Sequence, residues 1–496
     1  MCSKTLPGFD QVGSIFAALA YLELTHFSFR DLPPCLVRFF QLEILVTMKK
    51  RAFYFIALTA LMFTACQKDE DNQNQKLDDQ LEQALKDASG GTGSSHYVLP
   101  LSSEFDKIPH DPRNPITQAK VDLGALLFHE TGIGLNPKHA SNMGNYSCST
   151  CHFASAGFQA GIHQAISDGG MGFGINGEGR HANPEYLSSE LDVQPVRSPS
   201  AMNIAYQEAI LWNGQFGALG VNAGTEANWT AGTPKEKNHL GYEGTETQAI
   251  AAQDVHRLKM NDSVCVALNY KELFDKAFPE SDPSVRYGQV NCGLAIAAYE
   301  RAILANQAPF QLWLRGNPSA LTDQEKRGAI LFFGKAACTS CHNGPSLANM
   351  EFYALGMNDL FENPDITYGA NSESCENKGR YCFTKNDADL YKFKVPQLYN
   401  LADSPFYGHG ASFRSIREVV EYKNKGVKQN ANVPDVRIDA QFKPLGLTEA
   451  EIDDITAFLQ HGLRDPNLLR YQPLSVRSGH CFPNNDPESK VDLGCN

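Results

Sequence analysis

Polar and apolar positions along the chain predict helices that begin at a capping residue and bury one apolar face. Thr322 and Glu325 have the spacing of a capping box, and the apolar face that follows ends at Phe333. A counterpart runs over 117–128. A third helix is predicted over 447–459, where apolar residues three and four positions apart share one face. These patterns predict a mainly α fold with long loops and little β structure.

The N-terminal region has the pattern of an export signal. Met48 is followed by three basic residues and a mostly apolar run over 52–65, too short to span a membrane. The small residues before Cys66 are similar to a lipoprotein site, where the cysteine is lipidated after cleavage. An ordinary secretory signal with an incidental cysteine is the alternative. We therefore predict a lipoprotein signal peptide over 48–65 and treat 1–47 as an upstream extension outside the fold.

A flexible tether is predicted over 66–96, because this stretch is rich in Asp, Gln, Asn and Gly. Leu77, Leu81 and Leu85 recur every four residues and predict one short amphipathic helix within it. The compact body begins near Tyr97. Lipidation of Cys66 would anchor that body to a membrane on the periplasmic side, with the lipid as its membrane attachment.

Composition narrows the function classes. The 496 residues are 42% hydrophobic, which excludes wholesale disorder, and their formal net charge is −13. An acidic chain of this size is a poor candidate for nucleic-acid binding, so no nucleic-acid partner is expected. Cysteine is the unusual residue, because the spacing of the 13 cysteines carries chemical information.

Four of the cysteines lie in two copies of one pentapeptide, C-x-x-C-H, which is the attachment motif of c-type haem. Two thiols one helical turn apart add to the two haem vinyl groups, and the adjacent histidine supplies an imidazole to the iron. A thioredoxin-like pair does not need that histidine, and a zinc site draws its ligands from a shorter stretch. We predict two covalent haem c groups, held by Cys148, Cys151 and His152 and by Cys338, Cys341 and His342.

Each haem motif follows a helix that ends in a Leu- and Phe-rich stretch, which indicates two related haem domains. We place the N-terminal domain at 97–310 and the C-terminal domain at 311–496. Six further cysteines lie in this body, and an even number in an exported protein suggests disulfides. The simplest pairs are 265–292, 375–382 and 481–495, and buried free thiols are the alternative.

Three further motifs occur in a fixed order: Leu-Trp-Asn-Gly at 211–214, Lys-Val-Pro-Gln-Leu-Tyr-Asn-Leu at 394–401 and Ser-Pro-Phe-Tyr-Gly-His-Gly-Ala-Ser-Phe at 404–413. Together with the haem motifs, this set resembles the bacterial di-haem cytochrome c peroxidases and their MauG-type relatives over roughly residues 100–465. The resemblance implies two cytochrome c-like domains that face each other. It also implies reduction of hydrogen peroxide to water with electrons from a small periplasmic donor, either a c-type cytochrome or a cupredoxin.

The same resemblance assigns roles to individual residues. His152 would be the proximal ligand of the peroxidatic haem, and His342 that of the electron-transfer haem. Trp212 matches the tryptophan between the haems, with core packing as the alternative. A calcium ion between the domains, near Ser198 and Ser404, is a further family feature, and a homodimer is compatible with these expectations.

The chain departs from the peroxidase pattern at the second axial ligand of the C-terminal haem. The peroxidases have a methionine there, whereas the segment 418–423 places Tyr422 at this position, as in MauG-type relatives. A phenolate ligand lowers the reduction potential and a thioether raises it. Packing alone is the alternative for Tyr422. Tyrosine ligation would favour a MauG-like oxidation of a protein by peroxide, and a non-enzymatic electron-transfer cytochrome is the second alternative function.

The distal side of the peroxidatic haem also departs from the pattern. Lys259 stands where the peroxidases have a glutamate, and a protonated lysine cannot accept a proton from peroxide. We predict Gln248 and His256 as distal catalytic residues, and His256 titrates in the right range. His181, on a Gly-rich loop, matches in position the histidine that blocks the resting iron in peroxidases. Further candidates for the proton acceptor are Glu243, Glu246 and Asp254.

Overall fold

Helices and short 3-10 turns dominate the computed structural model, which describes residues 75–495 and confirms the mainly α prediction. The predicted signal peptide, Cys66 and residues 1–47 lie outside the described part. The helices are α1 (75–88), α2 (Gln118–His129), α3 (Gly244–Val255), α4 (Asp262–Ala267), α5 (Lys271–Ala277), α6 (Gln289–Ala302), α7 (Pro309–Leu314), α8 (Asp323–Phe333), α9 (Tyr381–Thr384), α10 (Ile416–Lys425), α11 (Glu449–Ala457) and α12 (Pro487–Leu493). The strands are β1 (Gly170–Met171), β2 (His181–Ala182), β3 (Phe352–Tyr353) and β4 (Phe393–Lys394), paired as β1–β2 and β3–β4, both antiparallel.

Side-chain caps fix where the predicted helices begin. At the start of α8, the Thr322 hydroxyl accepts from the Glu325 N–H at 3.3 Å, and the Glu325 carboxylate accepts from the Thr322 N–H at 2.7 Å. Helix α11 has the same capping box, made by Thr448 and Glu451. The Thr117 hydroxyl caps α2. Each such cap satisfies amide groups that a helix leaves unpaired at its first turn.

The helix before each haem motif packs in the same way in both halves of the chain. Helix α2 packs on α6, and α8 packs on α11. A Cβ atom on Gly124 of α2 would lie 2.0 Å from the Ala295 carbonyl oxygen, and one on Gly328 of α8 would lie 2.0 Å from the Asp454 carbonyl oxygen. Glycine is therefore needed at both crossings. The same close helix crossing at a glycine in both halves supports the internal repeat that the sequence indicates.

The two halves share one hydrophobic core, and residues from Lys76 onward form a single unit. Helix α1 belongs to it, because Leu81 and Leu85 are fully buried. The Asp78 carboxylate accepts from Trp313 Nε1 and from Lys326 Nζ, each at 2.7 Å. The flexible tether predicted over 66–96 is therefore wrong for its described part, since the apolar face of α1 and its ion pair hold it on the body.

The C-terminal segment, residues 478–495, returns to the N-terminal half. The Ser478 backbone N–H donates to Glu130 at 3.1 Å, and a buried ion pair joins Asp486 to Arg180 at 3.1 Å. The Asp492 carboxylate accepts from the backbone N–H of Phe173 at 2.8 Å. The end of the predicted C-terminal domain therefore packs on the N-terminal half, and the domain boundary at residue 310 stays a prediction.

Two of the three suggested disulfides are present, Cys375–Cys382 and Cys481–Cys495. Cys265 and Cys292 are buried free thiols instead. Among residues 75–495, no helix combines the length and the apolar character that crossing a membrane requires.

Candidate functional site

Each C-x-x-C-H motif presents two free thiols from a single 3-10 turn. These turns are Cys148–Thr150 and Cys338–Ser340, and the four motif cysteines form no disulfide. Burial raises the pKa of Cys151 and of Cys338 to about 12, so both are neutral thiols at physiological pH. Neutral, unpaired thiols are the groups from which thioether bonds to a haem are made.

The motif histidines are held in the tautomer that a haem ligand needs. His152 Nδ1 lies 3.2 Å from the Phe158 carbonyl oxygen, and His342 Nδ1 lies 2.9 Å from the Leu347 carbonyl oxygen. A carbonyl only accepts, so Nδ1 carries the proton and Nε2 keeps its lone pair. Burial lowers the pKa of both imidazoles to about 4, which keeps them neutral. The chain therefore fits a haem at both motifs.

A cavity adjoins each motif. The first cavity is bounded by the thiols and imidazole of Cys148, Cys151 and His152 and encloses about 1510 Å³, including its part open to solvent. The second cavity is bounded by Cys338, Cys341 and His342 and encloses about 2110 Å³ on the same measure. Both walls are mainly apolar, as a pocket for a large flat cofactor requires. Each motif thus has its own space for one haem.

Trp212 lies in the wall between the two cavities. It borders both of them, as does Phe393 of β4. Its indole Nε1 donates to the Arg197 carbonyl oxygen at 2.7 Å, which fixes the orientation of the ring. His409 continues this aromatic group, with its ring stacked on Phe393 at 3.6 Å and edge-on to Trp212 at 6.3 Å between ring centroids. Trp212 thus borders both cavities, and its bridging role stays a prediction.

Two of the predicted distal residues, Gln248 and His256, reach the first cavity. Gln248 lies on α3, and His256 caps the C-terminus of that helix. His256 Nδ1 lies 2.9 Å from Oδ2 of Asp192, a buried carboxylate on the same cavity wall. Burial opposes the charged imidazole, but the charge and hydrogen bond of Asp192 outweigh it and hold the pKa of His256 above its ordinary value.

The other distal candidates do not border the first cavity. Glu243 and Glu246 both pair with the buried guanidinium of Arg301. Asp254 pairs with Lys237 at 3.1 Å on the surface. Lys259 is exposed, which agrees with its exclusion as the proton acceptor.

His181 lies on the surface strand β2 rather than at the first cavity. Its side chain is 53% exposed, and its Nε2 lies 3.5 Å from the Glu488 carboxylate. Its Nδ1 lies 2.9 Å from the Gly179 carbonyl oxygen. His181 does not border the first cavity, so a blocking role would require β2 to move.

Tyr422 and its neighbour Lys423 face different surroundings on α10. The Tyr422 hydroxyl donates to the Leu355 carbonyl oxygen, and its ring packs between Phe413 and Phe442, with ring centroids at 5.0 and 4.9 Å. Burial raises the pKa of Tyr422, which keeps the phenol neutral. Lys423, not Tyr422, borders the second cavity.

Asp192 and Glu300 border the first cavity although the sequence did not indicate either residue. Glu300 is buried on α6, and within residues 75–495 its Oε2 has no hydrogen-bond partner. Burial and the nearby Glu246 charge raise the pKa of Glu300 to about 8. The sequence holds a cue for Glu300, since the apolar run over 292–298 ends abruptly in Tyr-Glu-Arg. It holds none for Asp192, which lies in a loop.

Ser404, one of the two suggested calcium contributors, is already engaged by protein groups. The Ser404 hydroxyl donates to the Ala160 carbonyl oxygen at 2.7 Å and accepts from the Arg197 guanidinium at 2.6 Å. A fixed positive charge at this hydroxyl disfavours a divalent cation. In the part of the chain that the structure describes, no cluster of three or more Asp, Glu, His or Cys residues could hold a metal ion.

Comparison with known proteins finds similarity to di-haem cytochrome c peroxidases and to MauG proteins. A family model described as di-haem cytochrome c peroxidase matches residues 118–319. Methylamine utilization protein MauG of Methylorubrum extorquens is 27% identical over 384 residues, which cover 76% of this chain and 88% of that protein. Cytochrome-c peroxidase IdrP1 of Denitromonas iodatirespirans is 28% identical over 418 residues, which cover 79% of this chain and 95% of that protein.

A solved structure agrees on the fold. The crystal structure of a MauG-like protein associated with microbial copper homeostasis matches with a TM-score of 0.51 at 21% identity, over 79% of this chain and 98% of that one. A relative named MauG and a relative named cytochrome-c peroxidase thus both align along most of the body that carries the two haem motifs. The chain is thus similar to the di-haem cytochrome c peroxidases over residues 118–319 and to proteins named MauG and cytochrome-c peroxidase along most of its length.

Proposed function

We propose that the protein reduces hydrogen peroxide to water, with electrons from a small c-type cytochrome or a cupredoxin. The observation that carries this proposal is the hydrogen-bonded pair of His256 and Asp192 on the wall of the first cavity. An electron-transfer cytochrome needs no acid–base group beside its haem. A peroxidase needs one, because cleavage of the O–O bond requires a proton to move between the two oxygens.

The residues of the first cavity can carry that proton. Reduction of one peroxide takes two electrons and two protons and yields two waters. The haem, when bound, supplies the iron that binds peroxide and passes electrons to it. Asp192 holds the Nδ1–H of His256, so Nε2 is free to take the proton of one peroxide oxygen and return it to the other. Within the described chain the Gln248 amide makes no hydrogen bond, so it is free to bind peroxide.

Substitution of Asp192 tests this pair through the pH dependence. His256 must be neutral to accept a proton, so the rate should rise with pH through its pKa, which Asp192 holds above the ordinary value. Asp192→Asn removes that charge and should move the rising limb to lower pH. Stopped-flow measurement of the peroxide rate constant against pH gives the result. An unchanged limb in Asp192→Asn would contradict the proposed pair.

Electrons from the donor would enter at the C-terminal haem and reach the N-terminal haem past Trp212. Trp212→Leu should slow electron transfer between the haems without changing the haem content. Trp229→Leu is the matched control, since Trp229 is a buried tryptophan that borders neither cavity. Flash reduction of the C-terminal haem, followed by absorbance, measures the transfer rate. Equal slowing in both variants, or none in Trp212→Leu, would remove Trp212 from the route.

A MauG-like oxidation of a protein by peroxide is the second candidate, favoured by the match to MauG along 76% of this chain. Steady-state turnover separates the two candidates. A peroxidase oxidises two reduced cytochromes per peroxide, whereas a MauG-like enzyme consumes peroxide with a protein substrate and leaves the small donor mostly reduced.

Export to an oxidising compartment completes the proposal. Two disulfides in the body are typical of exported proteins, and covalent haem c fits the same location. The export signal over 48–65 and a lipid on Cys66 would place the protein on the periplasmic side of a membrane. The gating role of His181, the bound calcium and the homodimer stay predictions.

A further inference from the structure

Helix α10 directs one face at the second cavity. Four of its residues border that cavity and follow the spacing i, i+3, i+4, i+7: Ile416, Val419, Val420 and Lys423. This spacing is one stripe of an α-helix. Tyr422 lies one residue before Lys423, and consecutive residues point about 100° apart around a helix. Tyr422 lies outside this stripe and does not border the cavity, whereas Lys423 does.

Lys423 is the polar member of this otherwise apolar stripe. Within residues 75–495 its side-chain amine makes no ion pair and no hydrogen bond, and Nζ lies 5.6 Å from the centroid of the Phe442 ring. Lys423 is partly buried. Removing an amine from water without giving it a partner is costly, so such a group is normally paired or bound to a metal. The cavity that it borders also presents His342 and the two thiols of its motif.

We propose that the Lys423 amine, rather than the Tyr422 phenol, is the sixth ligand of the haem held by His342. Binding forms an Fe–N bond in place of a bound water, and the ammonium group releases one proton to the solvent. The inference rests on the haem assignment used for the proposed function, but it does not depend on any peroxide chemistry. Failure of the peroxidase proposal would leave it intact.

The Tyr422 side chain makes other contacts that hold it away from the second cavity. Its hydroxyl donates to the Leu355 carbonyl oxygen, and its ring is packed between two other rings. Ligation by Tyr422 would require it to break that hydrogen bond and turn α10. Met357 borders the cavity too, but its Sδ lies against the backbone of Gly408, 3.1 Å from where a Cβ would be. Lys423 needs neither rearrangement.

Spectroscopy of the loaded, all-ferric protein tests the assignment without any turnover. Electron paramagnetic resonance and near-infrared magnetic circular dichroism distinguish amine, phenolate and thioether ligands on low-spin ferric haem. We expect the wild type to show the signature of an imidazole and an amine. Lys423→Ala should lose that signature from one haem only, and Lys423→Met should raise the potential of that haem, because a thioether favours ferrous iron.

Three variants serve as controls, with two haems per chain verified in each. Tyr422→Phe and Met357→Leu should leave the wild-type spectrum unchanged. Lys425→Ala, an exposed lysine on the same helix, should also do so. A phenolate or thioether signature in the wild type would overturn the proposal even if every variant failed to fold. Loss of the low-spin signal in Tyr422→Phe or Met357→Leu, or its survival in Lys423→Ala, would overturn it as well.

Discussion

His256→Ala is expected to lower kcat/KM for hydrogen peroxide by about 10²–10⁴-fold, the usual contribution of a positioned acid–base group. The imidazole is the titratable group that Asp192 orients at the first cavity, and alanine leaves no atom there to accept the proton. Haem content and the spectrum of the C-terminal haem should not change. Stopped-flow mixing with peroxide, under pseudo-first-order conditions, measures the loss.

His461→Ala is the matched control for that experiment. His461 is exposed and borders neither cavity, so its removal should leave the peroxide rate within about twofold of the wild type. A full rate in His256→Ala would mean that another group moves the proton. Glu300 would then be the first alternative, because burial and Glu246 raise its pKa to about 8 and it borders the same cavity.

The second large effect concerns the haem attachment motifs. Cys148→Ser with Cys151→Ser is expected to remove one covalent haem, and Cys338→Ser with Cys341→Ser the other, because each pair of free thiols borders its own cavity. The first double variant should lose the reaction with peroxide. The second should keep a haem that reacts with peroxide but should no longer take electrons efficiently from the donor. Intact-mass spectrometry under denaturing conditions counts the attached haems.

Cys265→Ser is the control for the thiol variants. Cys265 is a buried free thiol outside both cavities, so this variant should keep two covalent haems. A protein that retains two haems after loss of either motif would contradict the assignment. Loss of both haems from one double variant, with the fold intact by circular dichroism, would contradict the independence of the two cavities.

Short-range patterns in the sequence were sufficient to predict much of the fold. The structure contains three features that follow short-range patterns: the capping box at Thr322, the helix before each haem motif, and two disulfides between neighbouring cysteines. Contacts between distant segments were not readable. Helix α1 and the C-terminal segment are joined to the body by partners far away in the chain, such as the pair of Asp78 and Lys326.

At the candidate site too, short-range patterns were predictable from the sequence and contacts between distant residues were not. The motif thiols and histidines are visible because their spacing is short and chemically specific. The pairing of His256 with Asp192 joins residues 64 positions apart, so no local pattern reveals it. Tyr422 and Lys423 are adjacent, and only the rotation of α10 against the cavity decides which one faces a haem. Packing of the Tyr422 ring between Phe413 and Phe442 sets that rotation.

Rapid mixing with hydrogen peroxide tests the peroxide-reducing function most directly. The two-haem protein is mixed in its all-ferric form and in its one-electron-reduced form, each time with a reduced c-type cytochrome present. We expect a fast absorbance change at the haem held by His152 in at least one form. We also expect oxidation of two cytochromes for each peroxide consumed. Absence of any haem change in both forms would contradict a peroxide-reducing function and would leave an electron-transfer cytochrome.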